Sequence, residues 1–124
     1  MRVLGLLKMS EQAGEPPAEL FVAMDRTIKE ISGTANLIDT NGLVPSSVAA
    51  AVIHGSAGRL SIVDGPFTES KELIGGYAFF EVDTWDQAVE TMRKIVAVHT
   101  DHWPSWEGSA EVRRVMEQEE QPGA

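Results

Sequence analysis

The sequence predicts one α+β domain in which two amphipathic helices return the chain to a single antiparallel sheet. Apolar residues recur at three- and four-residue spacing in two separate segments, and short apolar or β-branched runs flank both segments. The predicted order is strand, helix, strands, helix, strand, which is the split βαβ arrangement of a ferredoxin-like fold. Both helices would then cover one face of the sheet. The other face would meet solvent, a ligand or a second subunit.

The first elements are a strand and a helix. An apolar run over residues 2–9 predicts the strand. The loop after it contains Pro17, which is compatible with a first helical turn. The helix has one apolar stripe and is predicted to end at Gly33. Its stripe consists of Leu20, Phe21, Met24, Ile28 and Ile31.

The middle of the chain predicts extended structure. Residues 35–39 form a short extended piece, followed by a turn-rich connector. Residues 49–54 and 59–63 flank the sequence GSAG, so we expect a hairpin with a four-residue loop. The apolar and aromatic run over residues 77–82 predicts the next strand.

The second helix is predicted from its start signal and its stripe. Thr84 and Gln87 have the spacing of a capping box. Residues 110–116 predict the last strand, after the helix. The apolar stripe of the helix consists of Trp85, Ala88, Val89, Met92, Ile95 and Val96.

The composition excludes several function classes. The 124 residues carry a net charge of −9, and the ten basic residues are scattered, whereas nucleic-acid binding needs clustered Lys and Arg. The absence of cysteine excludes disulfides and thiolate catalysis. No apolar run approaches the roughly 20 residues of a membrane span, and no nucleotide-binding motif is visible. We therefore expect a cytoplasmic domain over residues 1–116, without a cofactor, followed by an acidic tail over residues 117–124.

Residues 61–77, SIVDGPFTESKELIGGY, place backbone breakers and charge between two strands. The DGPF segment is compatible with a structural turn that Phe67 anchors. Alternatively, Asp64 leaves the strand end and enters a pocket as general base or orienting carboxylate. In that case Phe67 lies at the pocket.

Three charged residues follow the DGPF segment: Glu69, Lys71 and Glu72. Such a cluster is commonly a solvated surface with weak ion pairs. If it faces the pocket, Lys71 receives an anionic substrate and a glutamate orients it.

A second polar cluster lies at the end of the second helix. It consists of His99, Asp101, His102, Trp103, Trp106 and Glu107. Two histidines three residues apart share a helix face, so a His/carboxylate metal set is one reading, and dipole-stabilised histidines at a helix end are another. An acid–base role for His99 or His102 is the reading we adopt, with no metal. Trp103 and Trp106 either close the core or wall an apolar pocket.

The segments VDGPFTESKELIGGY and VHTDHWPSWEG together resemble the YCII-related proteins, specifically their DGPF branch. This resemblance implies a ferredoxin-like subunit that dimerises through its sheet into an α/β barrel, with a pocket between helices and sheet. Relatives include a dehalogenating lyase and neighbours among muconolactone isomerases, and other DGPF proteins are associated with alternative sigma factors. The family's His–Asp pair has its histidine on or near the first helix. No histidine lies between Pro17 and Gly33, so Asp64 is the only matching half.

Two functions follow as hypotheses. The first is a cofactor-independent isomerase, lyase or cyclase that acts on a small organic molecule by acid–base chemistry. Asp64 would work with His99 or His102, Lys71 would accept an anion, and the tryptophans would form the walls. The alternative is a non-catalytic homodimeric module that binds a ligand or a protein partner, for example in transcription regulation.

Overall fold

The computed structural model describes residues 1–123, which form a four-stranded antiparallel sheet, two α-helices and a separate β-hairpin. The predicted α+β class is confirmed. The strands are β1 (Arg2–Met9), β2 (Asn36–Gly42), β3 (Ala51–Ser56), β4 (Arg59–Asp64), β5 (Leu73–Glu81) and β6 (Gly108–Arg114). The helices are α1 (Ala18–Ile31) and α2 (Trp85–His102), and short 3-10 turns lie at Glu11–Ala13 and Gln118–Glu120.

The sheet has the order β2-β5-β1-β6, and every neighbouring pair is antiparallel. Helix α1 connects β1 to β2, and α2 connects β5 to β6, so each helix returns the chain to the same sheet. This order is consistent with the predicted ferredoxin-like, split βαβ arrangement. The predicted hairpin is an insertion between β2 and β5.

The core lies between one face of the sheet and the two helices. Along β1, Val3, Gly5 and Leu7 are buried while their neighbours are only half-buried, as expected for a strand with one covered face. Phe80 lies opposite Val3 in β5 and is fully buried. A Cβ on Gly5 would overlap the Met92 side chain, so a glycine here lets α2 pack directly on the sheet. The helices contribute the buried residues Leu20, Ala23, Ile31, Ala88, Met92 and Ile95.

The start of α2 has the predicted capping box. The hydroxyl of Thr84 accepts from the backbone N–H of Gln87, and the Gln87 side chain accepts from the N–H of Thr84, both at 3.2 Å. Two free N–H groups of the first turn are thereby satisfied. On the stripe of α1, Phe21 departs from the prediction because it is 60% exposed.

The hairpin turn is shorter than predicted. Ala57 and Gly58 both have positive φ, 52° and 76°, so they form a two-residue turn in place of the four-residue GSAG loop. A two-residue turn with positive φ at both central residues has a backbone twist that matches the twist of the two strands it joins. Gly55 and Ser56, which the prediction placed in the loop, belong to β3.

The hairpin, residues 51–64, is exposed along both strands. Its side chains divide between two faces because successive residues of a strand point in opposite directions. One face carries Ile53, Leu60 and Ile62, which are 64%, 80% and 66% exposed, and the other carries mostly polar side chains. We call residues 51–64 the hairpin arm. At its base the N–H of Gly65 donates to the carbonyl of Ala50 at 2.8 Å.

Candidate functional site

A cavity of about 740 Å³ lies between α1, the C-terminal half of α2 and the sheet. Its volume is in the range of small-molecule sites. The buried residues at its inner end are Leu7, Leu20, Ala78, Met92, Ile95, His99 and Trp103. The exposed apolar residues at its mouth are Phe21, Leu43, Val44 and Ile74. The exposure of Phe21 on α1 follows from this opening, since its side chain borders the cavity and not the closed core.

His99 is the titratable group at the inner end of the cavity. It lies in the last turn of α2, is only 6% exposed, and its Nδ1 is 2.8 Å from the carbonyl oxygen of Ile95. A carbonyl oxygen only accepts, so Nδ1 carries the proton in this contact and Nε2 carries the lone pair. Among residues 1–123, Trp106 Nε1 is the one side-chain nitrogen or oxygen that is sealed from solvent and has no hydrogen-bond partner. Nε2 makes no hydrogen bond to these residues and is not sealed, and His99 itself lines the cavity.

The surroundings of His99 favour its neutral form. Burial of the imidazole lowers the pKa of His99 below its ordinary value of 6.5, and the hydrogen bond to the Ile95 carbonyl opposes that shift without cancelling it. The buried Trp106 ring packs against the imidazole with a centroid distance of 5.2 Å and an interplanar angle of 43°. Near neutral pH, His99 is thus an uncharged imidazole whose orientation is fixed by its hydrogen bond to Ile95.

Acidic residues line the cavity, and no Lys or Arg within residues 1–123 does so. The Glu11 carboxylate accepts hydrogen bonds from the backbone N–H of Ser46 at 2.5 Å and from its hydroxyl at 2.7 Å. Glu15 and Asp25 are exposed and make no hydrogen bond or ion pair through their side chains within residues 1–123. The sequence interpretation missed all three acids, although Asp25 follows Phe21 by one helical turn and so lies beside the apolar stripe.

The DGPF turn is attached to the rim of the cavity. The backbone N–H of Phe67 donates to Ser46 Oγ at 2.8 Å, and that hydroxyl donates to Glu11. A Cβ on Gly65 would overlap the carbonyl oxygen of Ser46, so only glycine allows the two backbone segments to approach this closely. The Gly65–Pro66 peptide bond is cis. The motif therefore has a structural role here: it fixes the segment around Ser46, which borders the cavity.

Two of the predicted site residues, His99 and Trp103, line the cavity, and a third, Trp106, packs against the His99 ring from outside the lining. Asp64 is exposed at the end of β4, and its carboxylate has no hydrogen-bond partner within residues 1–123. The expected approach of Asp64 to a histidine ring inside the pocket is therefore not found in the single chain. His102 is half-buried on α2 and is not among the residues that line the cavity. The predicted site residues outside the lining are Asp64, Phe67, Glu69, Lys71, Glu72, His102 and Trp106.

Two negative observations concern residues 1–123. No group of three or more His, Asp or Glu side chains is arranged to hold a metal ion in this part of the chain. None of its helices combines the length and apolar character needed to cross a bilayer.

Comparison with known proteins gives two matches. The family model of the YCII-related domain matches residues 8–118. A protein of Rhizobium meliloti (strain 1021), described as uncharacterized, is 38% identical over 53 residues, which are 43% of this chain and 42% of that protein. The chain thus aligns with less than half of the length of this curated relative.

Proposed function

Because the chain belongs to the YCII-related family, we propose that it is a cofactor-independent enzyme that transfers a proton on a small organic molecule held in the cavity. The observation that carries this proposal is the free Nε2 lone pair of His99 at the inner end of an apolar cavity. A neutral imidazole near pH 7 is well matched to act as a general base. Isomerases, lyases and cyclases that work by acid–base chemistry can begin with such a step.

In the proposed step, a C–H or O–H bond of the substrate breaks and its proton moves to Nε2 of His99. The electron pair stays on the substrate, and the imidazolium later returns the proton to a different atom or to a leaving group. Trp103, Met92 and Ile95 exclude water from the reacting end, because their buried side chains form its wall. Asp64 and His102 have no role in this proposal because neither lines the cavity.

The pH dependence of turnover tests the role of His99. A substrate is first found by incubating the chain with pooled compounds in D₂O and detecting deuterium incorporation or isomer formation by mass spectrometry. The value of kcat/KM should rise with pH through the pKa of His99, below 6.5, and level off near neutrality, since only the neutral ring accepts a proton. A value that falls over this range would require a protonated His99 and contradict the proposal. Compounds that bind without exchange or conversion would indicate the non-catalytic module instead.

We also propose that the protein is a homodimer of the DGPF branch of its family. The helix-free face of the sheet presents Leu4, Leu6 and Phe79, which are half-buried in the single chain. The hairpin arm adds its own apolar face, and a two-stranded hairpin is marginally stable unless something packs on it. A second copy of the chain that packs on the helix-free face and on the arm would bury the apolar side chains of both surfaces. The docked DGPF turn supports membership of that branch.

Lysine substitutions on the hairpin arm test the homodimer. Leu60→Lys combined with Ile62→Lys should shift the mass measured by light scattering from twice 13.5 kDa to 13.5 kDa, because two charges would be buried unpaired. Ser61→Lys is the matched control, since its side chain lies on the opposite face of the same strand. A dimer that survives the double substitution would exclude the arm from the interface, and a monomeric natural chain would refute the homodimer.

A further inference from the structure

Carboxylates line the cavity, and they are not balanced by Lys or Arg side chains within residues 1–123. Glu15 and Asp25 border its mouth with carboxylates that no partner within residues 1–123 neutralises. None of the ten basic residues lines the cavity, and the Lys8 ammonium, next to the lining residue Met9, is held by Glu111 at 2.9 Å. An anionic ligand would therefore face two like charges at the mouth, with no cation to compensate.

The inner end selects for a different kind of group. His99 is more than nine-tenths buried, and its free Nε2 accepts a hydrogen bond but donates none in this tautomer. The walls around it are apolar. A ligand that satisfies both ends has an apolar body, no negative charge, and a C–H or O–H bond facing Nε2 that can give up its proton.

We infer that the cavity takes a small apolar molecule that carries one protonated amine, with the ammonium group at the mouth between Glu15 and Asp25. This inference rests on the proposed function and names its substrate class. It replaces the expected anionic substrate at Lys71, because Lys71 is exposed and lies outside the lining. A neutral His99 is compatible with the binding of such a ligand, since two positive charges do not share the cavity before the proton is transferred.

Three probes with one carbon skeleton test the charge preference: phenylpropylamine, phenylpropanol and phenylpropanoate. Binding is followed by NMR through the ring signals of His99, which report occupancy of the cavity itself. The amine should bind roughly fivefold more tightly than the alcohol, as two exposed ion pairs would provide, and the carboxylate should bind most weakly. The advantage of the amine should shrink as salt is added.

Charge-neutralising variants locate the preference. Glu15→Gln combined with Asp25→Asn should bring the affinities of amine and alcohol together. Glu19→Gln combined with Glu119→Gln is the matched control, because it removes the same charge from exposed positions outside the lining and should leave the preference unchanged. Equal loss in both variants would mean that the overall charge of −9, and not this site, attracts the amine, which overturns the inference.

The remaining outcomes separate the inference from the proposed function. If phenylpropanoate binds as tightly as the amine and moves the His99 signals, the inferred substrate class is wrong while the cavity remains the site. If none of the three probes moves the His99 signals, the cavity is not a ligand site. The inferred substrate class and the proposed function are then both wrong.

Discussion

Replacing His99 with asparagine is expected to lower turnover by a factor of roughly one hundred to ten thousand, the usual contribution of a general base. Asparagine places an amide N–H near the position of Nδ1, so the hydrogen bond to the Ile95 carbonyl can be kept. The atom that is lost is Nε2, the proposed proton acceptor. The measurement is kcat/KM for a substrate found by deuterium exchange, with circular dichroism to verify that the fold is retained.

A matched control lies one helical turn further along α2. His102→Asn makes the same chemical change at a residue outside the cavity lining and should retain turnover. If the His102 variant loses as much turnover as the His99 variant, or if the His99 variant stays within a few-fold of the natural chain, His99 is not the base.

Replacing Phe80 with alanine is expected to reduce the free energy of unfolding by about 3–5 kcal/mol. Phe80 is fully buried near the end of β5, opposite Val3 on one side and Leu37 on the other. Loss of the ring removes buried apolar area and leaves a void that neighbouring strands of the sheet cannot close. A domain of this size is typically stable by about 5–15 kcal/mol, so much of the margin would be lost. Urea denaturation followed by fluorescence measures the change.

Phe21→Ala is the control for this prediction. It removes the same ring from a position that is 60% exposed, where a loss of stability below about 1 kcal/mol is expected. If the two substitutions destabilise the chain equally, Phe80 is not a central part of the core. A smaller loss at Phe80 would indicate that the sheet and helices repack around the missing ring.

The elements could be predicted where local patterning and burial agree. The Thr84–Gln87 cap of α2 is a local signal and is present as predicted, whereas two residues of the predicted stripe, Trp85 and Val89, are each 44% exposed. The hairpin turn was predicted too long because Ala57 adopts a positive φ, which its residue type disfavours and which the sequence therefore does not announce. Phe21 has the spacing of a core residue, but the spacing cannot distinguish a closed core from a cavity wall.

The candidate site could be predicted only in part. His99 and Trp103 were indicated by their position at a helix end. The acidic mouth was not, because Glu15 lies in a loop and shares a cavity lining with Asp25 only once α1 has packed on the sheet. The DGPF turn was correctly interpreted as a turn, whereas its attachment to Ser46 links segments about 20 residues apart and leaves no local pattern.

The closed base of the hairpin arm makes the arm a separable module. The hydrogen bond between Gly65 and Ala50 joins the chain just where it leaves the body of the domain, so the two ends are already neighbours without the arm. The core between the sheet and the helices does not include the arm. Insertions and deletions between these two residues can therefore alter the reach of the arm, or graft a foreign peptide there, while the cavity keeps its shape.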